Sequence, residues 1–159
     1  MAARKPAKTT RAKKKSPARA KAAPKKGRTA TGALALNDAS PSFTVNDLEK
    51  SLAWYRDVLG FGVQETWKDA GKVVGVSLRA GDVSFMIGQD DWKKGRDRKK
   101  GEGFRMFCMT KKNVDDLAKR IEAKGGRVDQ GPTDQPWGVR DISLTDPDGF
   151  KITIAAAKR

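Results

Sequence analysis

Between residues 40 and 61 the hydrophobic period changes without interruption from two to about 3.6, so a strand must run straight into a helix. Pro41, Phe43 and Val45 alternate with Ser40, Ser42 and Thr44, which gives the strand one apolar and one small polar edge. Beyond it Leu48, Leu52, Tyr55 and Leu59 fall on one helical face, with Trp54 and Val58 beside them. Asn46 or Asp47 can cap the first turn, Glu49 follows Asn46 at the spacing of a capping box, and Gly60 supplies the stop. The polar edge of the strand is expected to help form whatever site the chain carries.

Three strand candidates follow, Val63 to Lys68, Lys72 to Arg79 and Val83 to Gly88, the last two joined by a turn at Gly81-Asp82. The same order then recurs. Phe104 to Thr110 reads as a strand, Asn113 caps a helix with Val114, Leu117, Ala118 and Ile121 on one face, and Gly125-Gly126 ends it. Strands are predicted from Arg127 to Asp129, Val139 to Leu144 and Phe150 to Ala155, with the turn Asp146-Pro147-Asp148-Gly149 standing where Gly81-Asp82 stood. Aligning Asp47 with Asn113 keeps the inward faces of the two helices in phase, so the domain reads as two copies of one strand-helix-three-strand module with a common core.

The expected organisation is a tail over residues 1–37 and a domain over 38–159, with module one at 38–88, a linker at 89–103 and module two at 104–156. The linker carries Lys93, Lys94, Arg96, Arg98, Lys99 and Lys100. It reads first as a solvated connector with Trp92 folded back onto the domain, and second as a patch that attracts phosphate.

Charge divides along the same boundary. Residues 1–30 hold twelve Lys or Arg and no acid, so of the formal net charge of +15 only +3 belongs to the rest, 22 basic against 19 acidic side chains. Such a tail, interrupted by prolines at 6, 17 and 24, is expected to be disordered. Its lysines, Lys13, Lys14, Lys15, Lys25 and Lys26 among them, suit either non-specific contact with a polyphosphate such as DNA or a solubilising role. Salt-sensitive retention on DNA that disappears when residues 1–30 are deleted separates the two. The chain has no His and one Cys, Cys108, which removes internal disulfides, zinc-finger spacings and histidine general bases, and fits a reducing cytoplasmic setting. No apolar run approaches the ~18 residues of a spanning helix, so no membrane partner is expected.

Three motifs carry a resemblance. Val45-Asn46-Asp47-Leu48 through Trp54-Tyr55 to Leu59-Gly60-Phe61, the run Pro136-Trp137-Gly138-Val139-Arg140-Asp141, and the close Asp146-Pro147-Asp148-Gly149-Phe150-Lys151-Ile152-Thr153-Ile154 resemble, over residues 38–156, the vicinal oxygen chelate superfamily. This is the fold of glyoxalase I, bleomycin-resistance proteins and extradiol dioxygenases. The resemblance implies an α+β fold in which two βαβββ modules curl into half-barrels of mixed sheet around a shared cleft, with homodimerisation usual. In catalytic members a divalent metal is held by one residue from the first and one from the last strand of each module. Transferred here, those positions fall on Ser40 and Met86 in module one and on Thr153 in module two, with Met106 or Arg105 as the counterpart of Ser40. None supplies an imidazole or carboxylate, so no metal cofactor is expected and the metal-dependent activities do not transfer.

What remains resembles the metal-free members, which bind a small organic molecule in the cleft. Trp137 and Arg140 are the first candidates for contacting it, with Ser40, Ser42, Phe85, Met86 and Thr153 as lining. Each has a plainer reading: Trp137 as a turn-packing aromatic, Arg140 as a partner of Asp141 or Asp146, the methionines as core. Asp146 and Asp148 read as turn residues, and Cys108 as a buried small hydrophobe. Two other functions compete with a binding module: a glyoxalase- or dioxygenase-like enzyme, and a nucleoid-associated protein acting through its tail.

Overall fold

The computed structural model describes residues 39–158; the expectations for the tail, including Lys13, Lys14, Lys15, Lys25 and Lys26, lie outside the described residues. The first strand and helix form as their periods dictate. Strand β1 (Ser42–Val45) buries Phe43 and Val45 and exposes Ser42 and Thr44. Asp47 is the N-cap of helix α1 (Leu48–Ala53), its carboxylate accepting the Lys50 N–H at 3.0 Å. Asn46 instead points its own backbone N–H at Asp148, 2.7 Å away. The helix does not remain α to its end: Trp54–Leu59 is wound as a π-helix that closes on Gly60 at φ 86. Nothing in those residues announces the change, since no proline or glycine lies within them.

The chain continues as β2 (Gly62–Asp69), β3 (Lys72–Ala80), β4 (Val83–Gln89), β5 (Arg105–Met109), α2 (Val114–Ala123), β6 (Val128–Asp134), β7 (Val139–Thr145) and β8 (Lys151–Ala157). Two four-stranded mixed sheets result, ordered β1-β4-β3-β2 and β5-β8-β7-β6. In each, the strand before the helix pairs parallel with the last strand, and the other pairs are antiparallel. The repeat read from the sequence is therefore a repeat of topology, with both sheets open. Strand β6 runs further than expected, through a cis Gly131–Pro132 bond and two register shifts, because glycine and proline mask its strand signal.

One side of each sheet faces the helices. Phe43, Val76, Leu78, Phe85 and Ile87 from the first sheet and Ile142, Leu144 and Ile152 from the second are buried with Leu48, Tyr55, Leu59, Val114, Ala118 and Ile121. The core crosses the module boundary: the Phe43 ring stacks on Phe85 at 5.3 Å and on Phe150 at 4.8 Å, and meets Phe104 edge-on at 5.2 Å. No helix among the described residues is long and apolar enough to cross a membrane.

Candidate functional site

Strand alternation sends every second side chain to the sheet face away from the helices, and the pairing register says which ones meet there. Ser42 stands opposite Met86 in the first sheet, and Phe107 opposite Thr153 in the second. Two residues before Ser42, just ahead of β1, lies Ser40, and two before Phe107, at the start of β5, lies Arg105. The counterpart of Ser40 is thus Arg105, while Met106 turns into the core at 7% exposure. The four positions at which the resemblance would put metal ligands hold a hydroxyl, a thioether, a guanidinium and a hydroxyl. This set does not fit a divalent cation, because the neutral groups are weak donors and the fixed positive charge repels the ion. Among the described residues no group of three or more His, Cys, Asp or Glu is placed to hold a metal ion.

On module one the outer face forms an open groove of about 330 Å³ lined by Ser42, Trp67, Val74, Gly75, Met86 and Gly88 with the edge of Ile87. Its floor exists because glycine leaves room there: a Cβ on Gly75 would lie 3.1 Å from the Trp67 ring and 3.3 Å from the Ile87 carbonyl oxygen. Trp67 and Val74 stay partly exposed, so the groove has an apolar wall open to solvent. Ser40 is not part of this lining; its hydroxyl lies 3.1 Å from that of Ser84, two residues before Met86 on β4.

On module two the same face carries Arg105, Phe107, Met109, Ser143 and Thr153. Arg105 Nη1 donates to Thr153 Oγ1 at 2.8 Å and to Ser143 Oγ at 3.3 Å. Thr153 is buried, whereas Phe107 is 51% and Met109 55% exposed.

The other expected site residues are placed elsewhere. Phe85 precedes Met86 on a strand and therefore points the opposite way, into the core, where it is fully buried. Arg140 is gripped by Asp115 through two bonds of 2.8 Å and by Asp134 through a third of 2.8 Å, so its partners are neither Asp141 nor Asp146 and each of its three nitrogens already donates to a carboxylate. These contacts hold both carboxyls below their ordinary range. Trp137 lies, 66% exposed, in the turn between β6 and β7 and does not line the groove. The structure thus brings Ser42 and Met86 together, sets Ser40 beside them, and places Thr153 on the other sheet. Arg105 was visible in sequence only as one of two possible repeat partners; the strand register singles it out.

The linker is more than a solvated connector. Asp90, at the end of β4, is buried and accepts from Arg98 Nη2, from Lys100 Nζ and from the Trp92 N–H at 2.9 Å. The Lys100 side chain is only 4% exposed and also reaches the Thr44 carbonyl at 3.2 Å. Trp92 is half-buried, with the Arg96 guanidinium 4.0 Å above its ring. Beyond Lys100, Gly101 lies against the β7–β8 turn so closely that a Cβ would come within 2.3 Å of the Gly149 carbonyl oxygen, and its φ of +71 already favours glycine. Asp146 and Asp148 of that turn direct their oxygens at protein donors, Asp146 to Tyr55 Oη at 2.8 Å and Asp148 to Ser51 Oγ at 2.8 Å. Cys108 is half-buried, and burial pushes its thiol pKa up, which leaves little thiolate.

The Asp90 cluster has a pH signature. The Lys100 hydrogen bond, then the Trp92 N–H, hold its carboxyl well below the usual carboxylate range. A depressed folded-state pKa gives stability that is present above the unfolded value of about 3.9 and lost as pH falls through the folded one. The thermal midpoint should therefore fall more steeply between about pH 5 and pH 3 in the wild type than in Asp90→Asn; parallel curves would show that the cluster adds nothing.

Comparison with known proteins gives a consistent family. A family model described as the Glyoxalase/Bleomycin resistance protein/Dioxygenase superfamily matches residues 35–154. No curated protein sequence matches the chain. Among solved structures, TnmS3, an antibiotic binding protein from Streptomyces sp. CB03234, superposes with a TM-score of 0.58 at 23% identity, covering 79% of this chain and 100% of its own. TioX from Micromonospora sp. ML1 gives 0.61 at 18% identity, with 76% and 100% covered. Lactoylglutathione lyase from Agrobacterium tumefaciens gives 0.56 at 19%, with 76% and 92% covered. At these identities the likenesses establish the fold.

Proposed function

Because the chain belongs to the Glyoxalase/Bleomycin resistance protein/Dioxygenase superfamily, we propose that it is a metal-free binding protein that holds a small organic molecule against the outer faces of its sheets. The observation that carries this reading is the module-one groove. Its volume of about 330 Å³ falls at the small end of ligand sites, its wall is apolar, and Ser42 offers a hydroxyl beside Met86. The donor chemistry at Ser40, Met86, Arg105 and Thr153 supports binding without a metal, and the likeness to an antibiotic binding protein agrees with it.

The groove is lined by module one alone, and exposed Phe107 and Met109 leave an apolar surface uncovered on module two. A homodimer that lays the module-two face of one copy over the module-one face of another would enclose a ligand between them. N-phenyl-1-naphthylamine, a neutral fluorophore that brightens in apolar surroundings, tests the reading. It should bind saturably to the full chain, and Trp67→Ala and Met86→Ala should each weaken it about tenfold, the effect of removing a large contact from an apolar pocket. Absence of saturable binding, or binding indifferent to both substitutions, would sink the proposal.

A further inference from the structure

The described arginines divide by the partner they meet. Arg56, Arg98, Arg127 and Arg140 each lie against a carboxylate, and Arg79 and Arg120 donate to the backbone carbonyls of Gly81 and Leu59. Arg105 touches two hydroxyls, both through Nη1. Hydroxyls orient a guanidinium without neutralising it, and among the described residues no protein acceptor is hydrogen-bonded to its Nε or Nη2. Directly opposite Arg105 in the sheet register is a second cation, Lys151, whose ammonium donates to Thr145 Oγ1 at 2.7 Å. No carboxylate among the described residues forms an ion pair with Arg105; Asp129 accepts the Thr145 hydroxyl and lies 3.5 Å from Arg127, and the buried Asp141 accepts from Gln135 at 2.9 Å. Next along β5, on the same face, come the exposed side chains of Phe107 and Met109.

A fixed, un-neutralised guanidinium beside an apolar surface recognises one kind of partner. Its planar fork matches a carboxylate or sulfonate through two parallel hydrogen bonds, while the apolar side chains accept the rest of the molecule. We propose that Arg105 is the anchor for an organic anion, so that the ligand of this protein carries a carboxylate or an equivalent oxyanion attached to an apolar body. A guanidinium thus stands at a position which the fold otherwise gives to a metal ligand, and supplies positive charge there itself. The same charge disfavours cationic ligands. This inference rests on the cleft-binding reading above and narrows its ligand class.

Two probes that differ by one group test it on the full chain at physiological salt: 1-anilinonaphthalene-8-sulfonate, and N-phenyl-1-naphthylamine, the same ring system without the sulfonate. Arg105→Ala should raise the dissociation constant of the sulfonate by about tenfold to a hundredfold, the range for losing charge-assisted hydrogen bonds, and shift that of the amine by less than about twofold. Arg105→Lys should fall between, since an ammonium keeps the charge and loses the fork. Thr153→Val, which removes an orienting hydroxyl, should weaken the sulfonate alone. Arg79→Ala removes the same charge from the other sheet and should leave both probes unchanged. If the sulfonate is indifferent to Arg105, or if both probes weaken together, the anchor is overturned while the cleft reading survives. If the amine fails to bind the wild type while the sulfonate binds through Arg105, the anchor stands and the apolar cleft falls. If neither binds, both fall.

Discussion

Phe85→Ala is expected to lower the unfolding free energy by about 3–5 kcal/mol, and Met86→Ala, one residue later, by less than about 1 kcal/mol. The contrast follows from alternation on β4. Phe85 has no exposure and is packed between Phe43, Tyr55 and Phe61, with ring centroids 4.9–5.3 Å away. Truncating it opens a cavity among three close-packed aromatic rings of module one, which collapse into it poorly. Met86 lies on the groove wall and leaves a space that solvent already reaches. Urea denaturation of the two variants at equal protein concentration checks this. Equal losses would mean that β4 is not alternating between core and groove, and would remove the physical basis of the proposed site.

Asp146→Ala should be almost as damaging, at about 3 kcal/mol or more, although the residue lies in a turn. Its two oxygens accept from Tyr55 Oη at 2.8 Å, the Phe150 N–H at 2.7 Å and the Asp148 N–H at 2.9 Å, so truncation strands three donors, one of them from the other module. Tyr55→Phe removes only the phenol and should cost about 1.5–3 kcal/mol, and the double variant should fall short of the sum because both act on one bond. Burial pushes the Asp146 pKa up despite its three donors, which act downward. Burial likewise, followed by the Asp146 charge, pushes the Tyr55 phenol up. A carboxyl with a raised folded-state pKa contributes stability fully present below the unfolded value and lost as pH rises through the folded one. Asp146 and Asp90 thus act in opposite directions over the acid range, and additive losses in the double variant would show that the Tyr55–Asp146 contact is not coupled.

Periodicity made the framework legible. The switch at residue 46, the caps at Asp47 and Asn113 and the alternation of Phe43, Val45, Val76 and Leu78 are local patterns, and local patterns determine which face is apolar. Phe85 shows where that reading needed more care, since the alternation that identified β4 as a strand also forbids Phe85 and Met86 from lining one pocket. Arg140 and Trp137 failed to join the groove for a different reason. Their positions depend on Asp115, Asp134 and the irregular course of β6, which are set by contacts between residues distant in sequence. Arg105 needed the register of a parallel pair, a quantity no single segment contains. The π-helical turn at Trp54–Leu59 has no counterpart in composition.

The linker has a mechanical consequence. It runs from Asp90, through a buried Lys100 that also holds the Thr44 carbonyl of module one, to a glycine pressed on the closing turn of module two. A hinge opening between the modules would have to separate the Asp90 and Lys100 charges or pull Gly101 off Gly149, so the relative orientation of the two halves is stiff.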